Sequence, residues 1–304
     1  MAIPRWKLPF DVVSNVMMLA SPAGMASMME TCRFLYSEGP RHLLRDGVTL
    51  RTPRRITSFT SFMFAEGTVR FRHLRELNLE VGGVVYHLFV VDDCSVAVDA
   101  LIDLLQCPAL SLHTLRLGRA EGLLSSSRAI CDAFRTLTTL RHLTVCHVGP
   151  ATIATVGKMS SKLVSAMVDH IDPALNFMTS SDKVLAMLAP FSDTLEEVSL
   201  ALDGPFNFEG MPTDICFPRV RSLTVLSDSC RFLPSCLPAF SNVQSIQHNP
   251  SRMPQRSTIC QSNIAHFVNS LGVARPVERR FPPVGADLNA QATSLASASS
   301  VPLS

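Results

Sequence analysis

The sequence predicts an α/β protein: a short helical unit followed by stacked strand–helix units that share a parallel sheet. Three observations predict it. A six-residue pattern, apolar-x-x-apolar-x-apolar, recurs from residue 74 onward. Amphipathic helical stretches lie between its copies. The first 45 residues read as a small helical unit.

The copies are Leu74/Leu77/Leu79, Leu112/Leu115/Leu117 and Leu140/Leu143/Val145, a weaker Leu163/Ala166/Val168, then Leu195/Val198/Leu200, Val220/Leu223/Val225 and a degraded Val243/Ile246/His248. Their mean spacing of about 28 residues lies near the upper end of the ~20–29-residue leucine-rich-repeat period. Between them, helical faces are expected at Ala97/Leu101/Leu104/Leu105, Ile130/Ala133/Phe134/Leu137, Val184/Leu185/Leu188 and Ile264/Phe267/Val268/Leu271. A unit with one apolar strand edge and one apolar helix face cannot hide both alone, whereas a stack can. This reading is an irregular leucine-rich-repeat solenoid over 47–272. The alternative is an ordinary α/β domain, whose parallel strands would also alternate with helices. One feature departs from regular repeats: the Asn or Cys expected just after each strand is replaced by Gly82, Ala120, Val148, Ile171, Asp203, Asp228 and Ser251. No internal Asn ladder is expected.

Ahead of the repeats, residues 1–46 read as a helical unit. Pro9 and Asp11 suit a helix start, and Val12, Val13, Val16, Met17 and Ala20 share one face. Ser21-Pro22 breaks that helix. Met25, Met28, Met29, Cys32 and Leu35 then form what reads as one continuous stripe, ended by Gly39-Pro40, with a short helix at Leu43-Leu44 beyond. Val48 and Leu50 alternate with polar residues as a short strand. Thr52 is a good N-cap and Pro53 a good first helical residue for a helix faced by Ile56, Phe59, Phe62 and Met63. Gly67 ends it. Residues 273–304, rich in Ala, Ser and Pro from 282 on, are expected to be a disordered tail.

Composition narrows function. The chain has 304 residues, 47% hydrophobic and 17% charged, with net charge +2. That balance gives no reason to expect non-specific nucleic-acid binding. No stretch approaches the ~18 consecutive apolar residues of a membrane span. Arg5 and Lys7 before an apolar stretch superficially suggest a signal peptide, but Asp11, Ser14 and Asn15 interrupt that stretch. The nine cysteines are scattered without a CxxC pair, which points to reduced thiols in an intracellular protein, cytoplasmic or nuclear, and to no zinc ribbon.

No catalytic constellation stands out. There is no nucleophile elbow, Walker loop or GxGxxG. Gly82-Gly83 lacks a following phosphate-binding Lys and reads as a loop. Nothing implies a cofactor or a metal, and the chain is read as a non-enzyme. Arg41, Arg45, Arg51, Arg54 and Arg55 could face an acidic partner, but the solvated faces of two helices account for them better.

The opening resembles an F-box. The residues that carry the likeness are Leu8-Pro9-Phe10-Asp11-Val12-Val13, Val16 to Ala20, and Met25 to Leu35, with Tyr36 to Leu44 as a continuation familiar from the F-box proteins expanded in fungi. The resemblance, with the repeats, covers the chain to about residue 272. It implies a substrate-recognition adaptor of an SCF-type cullin–RING ubiquitin ligase. The helical unit would dock on the Skp adaptor, and through it a cullin, and the repeats would hold an unknown target protein. Carried over by position, the adaptor-binding residues are Leu8, Pro9, Val12 and Val16, with Met17, Met28, Cys32 and Leu35. The target-binding candidates are Arg75, Arg116, Arg141 and His142, which lie between apolar repeat positions beside Glu76 and Thr144. The competing reading is a non-catalytic leucine-rich-repeat scaffold whose helical start is only a cap. No nucleic-acid or membrane partner is expected.

Overall fold

A computed structural model of the chain describes residues 10–80, 93–169, 181–201, 215–226 and 237–249. All of them belong to one compact unit, Met1–Val273. Its centre is an eight-stranded, all-parallel sheet: β1 (Val48–Leu50), β2 (Glu76–Leu79), β3 (Thr114–Leu117), β4 (His142–Cys146), β5 (Ser165–Asp169), β6 (Glu197–Ala201), β7 (Ser222–Leu226) and β8 (Ser245–Asn249). The strands lie side by side in chain order. The class is α/β, as expected.

The register follows the sequence pattern. The fourth position of each copy pairs with the fourth of the next, through Leu77, Leu115, Leu143, Ala166, Val198, Leu223 and Ile246. The sixth position does the same from Leu79 to His248. β1 extends both columns, with Val48 opposite Leu77 and Leu50 opposite Leu79. It is an additional member that the repeat pattern leaves out, because it lacks the leading apolar position.

Burial alternates along the strands. Leu77, Leu79, Leu115, Leu117, Leu143, Val145, Val198, Leu200, Leu223 and Val225 are buried, while the residues between them are half-buried or exposed. A one-residue slip would turn every apolar side chain to the other face, so this alternation holds the register. The helices α4 (Pro53–Phe64), α5 (Asp93–Gln106), α7 (Arg128–Arg135), α8 (Pro150–Val156) and α9 (Ser181–Leu188) make a chain of contacts: α4 on α5, α5 on α7, α7 on α8, α8 on α9. The faces read from helical spacing at Ala97–Leu105, Ile130–Leu137 and Val184–Leu188 are buried in one core with the strand leucines. The face at Ile264–Leu271 lies outside the described residues, as does the tail from 273.

Two helices had no clear signal. α6 (Ala120–Ser126) offers only Ala120, Leu123 and Leu124 to the core. α8 buries Thr152 and Thr155 where an apolar pattern would have shown it. Polar side chains just before the strands stitch neighbouring units together. Thr139 Oγ1 donates to the Leu112 carbonyl at 2.8 Å, Ser161 Oγ to that of Leu137 at 2.5 Å, and Asn242 Nδ2 to that of Pro218 at 2.8 Å. Each ties one strand–helix unit to its predecessor and satisfies a loop carbonyl.

The N-terminal helices correct three expectations. They are α1 (Phe10–Leu19), α2 (Pro22–Met29) and α3 (Arg33–Leu43). The stripe from Met25 to Leu35 is not one helix. Ser21 Oγ caps α2 by accepting from Gly24 N–H at 3.2 Å. Thr31 then bonds back to the Met28 carbonyl, and Cys32 is extended at φ −157° as the cap residue of α3. Gly39-Pro40 does not end a helix either. Both are buried inside α3, where Pro40 removes a backbone donor but packing against α2 carries the helix on. Gly39 meets the Met29 side chain so closely that a Cβ there would overlap it. Leu43 and Leu44 belong to the end of this same helix. As expected, Thr52 caps α4 by accepting from Arg55 N–H at 3.3 Å, and Gly67 sits at φ +67°.

Candidate interaction surfaces

Two surfaces bring sequence-predicted residues into view. The first is α1. Val12, Val16 and Leu19 are spaced i, i+4, i+7 and so share one side of the helix. They are 43%, 48% and 89% exposed. Met17, a turn-step away from that side, is 0% exposed. Its assignment as a docking contact is therefore corrected: it fills the interior and offers nothing to a partner. Met28 and Leu35 are half-buried, and Cys32 is exposed. Leu8 and Pro9 lie outside the described residues. Met18, Phe34 and Tyr36 are also exposed. They lie off the two apolar stripes that helical spacing picks out.

The second surface is the sheet face opposite the helices, with the edge where strands enter. On the face, Arg116 pairs with Glu76 at 3.8 Å and Arg51 with Glu80 at 2.8 Å. Asn78 Nδ2 also donates to Glu80 at 2.9 Å. These two donors hold the Glu80 carboxyl below its usual range. Arg75 and Arg141 are not strand residues. They sit one position before β2 and β4, exposed at the entry edge, and His142 is the exposed first residue of β4. The Arg75 guanidinium is held: Nη1 donates to Ser111 Oγ at 2.5 Å and to the Ser111 carbonyl at 3.2 Å.

Near the strand exits, β4 carries Cys146 opposite Asp169 of β5. Burial, and then the neighbouring Asp169 carboxylate, push the Cys146 thiol up to about 11. The thiolate is the nucleophile. Cys146 should therefore alkylate far more slowly at pH 8 than the exposed Cys32 and Cys216, as followed by peptide mass mapping after timed iodoacetamide treatment. Asp169→Asn should accelerate Cys146 by roughly tenfold or less, because burial remains the larger cause.

Among the described residues, no group of three or more His, Cys, Asp or Glu side chains is placed to hold a metal ion. No helix there is long and apolar enough to cross a membrane. No family model matches the chain, and no curated protein matches it at a significant level.

Proposed function

We propose that the chain is an F-box protein with irregular leucine-rich-like repeats that acts as the target-recognition subunit of an SCF-type ubiquitin ligase inside the cell. The single observation that carries this reading is the exposed apolar side of α1, Val12, Val16 and Leu19, directly after the Leu8-Pro9 motif. Apolar side chains on a short helix favour being covered, and this side of α1 is exposed among the described residues. The ordered parallel sheet supports the other half. Strands in chain order, in-register apolar columns and helices joined in series are what stacked repeats require. In this reading the chain performs no reaction and needs no cofactor. It raises the effective concentration of a target beside a loaded ubiquitin carrier.

The test is co-purification with the Skp adaptor. Wild type should bind. Val12→Glu/Val16→Glu should lose binding by about a hundredfold, since two apolar anchors become charges facing an apolar partner, while circular dichroism and melting stay near wild type. A folded wild type that does not bind removes the proposal. The second reading, a repeat scaffold capped by its N-terminal helices, would then lead. It is favoured by one observation: Tyr36 of α3 stacks on Arg70, beyond the first edge strand β1 in the chain, so these helices also pack on the body that carries the sheet.

A further inference from the structure

The backbone ladder begins one residue before the strands. His113 N–H bonds to the Arg75 carbonyl, Arg141 N–H to that of His113, and Val164 N–H to that of Arg141. Arg75 and Arg141 therefore stand two strands apart on the entry edge, about 10 Å at the usual strand spacing. Arg72 precedes Arg75, and Lys162 precedes Val164 at the next strand; all four cations are exposed. None of the four forms an ion pair among the described residues, whereas Arg45, Arg51, Arg116, Arg128 and Arg135 all do. Arg75 is also pre-positioned by Ser111, with Nε and Nη2 left without a described partner. Beside Arg72, burial and then the charges of Arg72 and Arg41 hold His73 below its usual range, with Glu38 acting upward. Glu196 and Glu197, exposed at the entry to β6, end the strip.

We propose that the strand-entry edge of β2–β5, through Arg72, Arg75, Arg141 and Lys162, binds an extended acidic segment of a partner protein. The spacing selects the ligand. A chain extended as polyproline II has three residues per turn and rises ~3.1 Å per residue, so carboxylates three residues apart share one side at about 9 Å, matching Arg75 and Arg141. The strip spans about 14 Å over three strand gaps, room for a short segment. A nucleic acid fits less well, because its phosphates would run on into Glu196 and Glu197. This inference deepens the proposed reading, since the segment would belong to the target. It does not depend on adaptor docking.

The experiment uses the full chain without the adaptor, and fluorescence anisotropy with a labelled twelve-residue peptide carrying Glu at every third position between Ser and Gly. Its Gln counterpart and a single-stranded oligonucleotide of equal length serve as competing probes. Wild type should bind the Glu peptide, lose it as salt rises, and ignore the Gln peptide. Arg75→Glu/Arg141→Glu should weaken binding by at least about tenfold, since each reversal removes an attraction and adds a repulsion. Arg75→Gln/Arg141→Gln should give a smaller loss in the same direction. Arg54→Glu/Arg55→Glu, exposed at the start of α4, makes the same charge change away from the strip and should bind as wild type does. Equal loss in that control, no binding of the Glu peptide, or tighter binding of the oligonucleotide would each overturn the proposal. Failure here with intact adaptor binding rejects only the acidic ligand.

Discussion

Arg70→Ala is expected to lower stability by about 3 kcal/mol, the scale on which a buried, hydrogen-bonded charge is broken. Arg70 sits in the 3-10 turn Val69–His73 and is only 2% exposed. Its guanidinium lies 4.3 Å from the Phe62 ring centroid and 4.8 Å from that of Tyr36. Nη1 donates to the Phe62 carbonyl at 2.6 Å, and Nη2 is 3.6 Å from Glu66. Arg70 thus joins α3, the last helix before β1, to α4, the first helix after it. Removing it empties the slot and leaves a carbonyl without its donor. Nε and Nη2 make no hydrogen bond, so part of the desolvation cost is never recovered, which keeps the expected loss below the top of the range. Arg70→Met should lose only about 1 kcal/mol, because it refills the volume without a buried charge. Urea titration of the three proteins decides it. A loss under about 0.5 kcal/mol in Arg70→Ala would mean that the ring contacts add nothing.

Glu121→Ala is expected to have a similar effect, about 3 kcal/mol, through a different route. Glu121 is buried at the start of α6. One carboxylate oxygen accepts from Ala151 N–H at 3.1 Å, and the other from Thr152 N–H and Thr152 Oγ1, both at 3.0 Å. The side chain therefore caps α8 from a neighbouring unit and takes the place of a local N-cap, since the residue at that position, Gly149, has no side chain to offer. A Cβ at Gly149 would press on Glu121, so Gly there makes the approach possible. Alanine leaves three donors unpaired, the two of Thr152 buried and that of Ala151 part-buried. Glu121→Gln keeps one acceptor oxygen and should lose roughly half as much. Equal stability of wild type and Glu121→Ala in urea would show that α8 needs no such cap.

The strand columns were legible because each buried position recurs in the same place of a repeating pattern, and the register reproduces that pattern residue for residue. Three helical faces were legible by their 3.6 spacing. What escaped has physical reasons. The inward side of α8 is written in threonine, which carries no apolar signal. Gly39-Pro40 reads locally as a stop, yet tertiary packing against Met29 overrides it. Periodicity gives the breadth of the α1 stripe but not which edge is covered, so Met17 and Val16 looked alike. Arg70 and Glu121 are single charged residues whose partners lie up to 34 and 31 residues away, beyond any local pattern. At the strand entries, Arg75 and Arg141 fall between apolar positions of the pattern, but the strands start one residue later.

Hydrogen exchange on the full chain, with and without a saturating excess of purified Skp adaptor, tests the central claim most directly. The account predicts strong added protection in peptides covering α1, Phe10–Leu19, and none in the sheet from β4 to β7. Protection confined to the sheet, or no change anywhere in a folded chain, would contradict it.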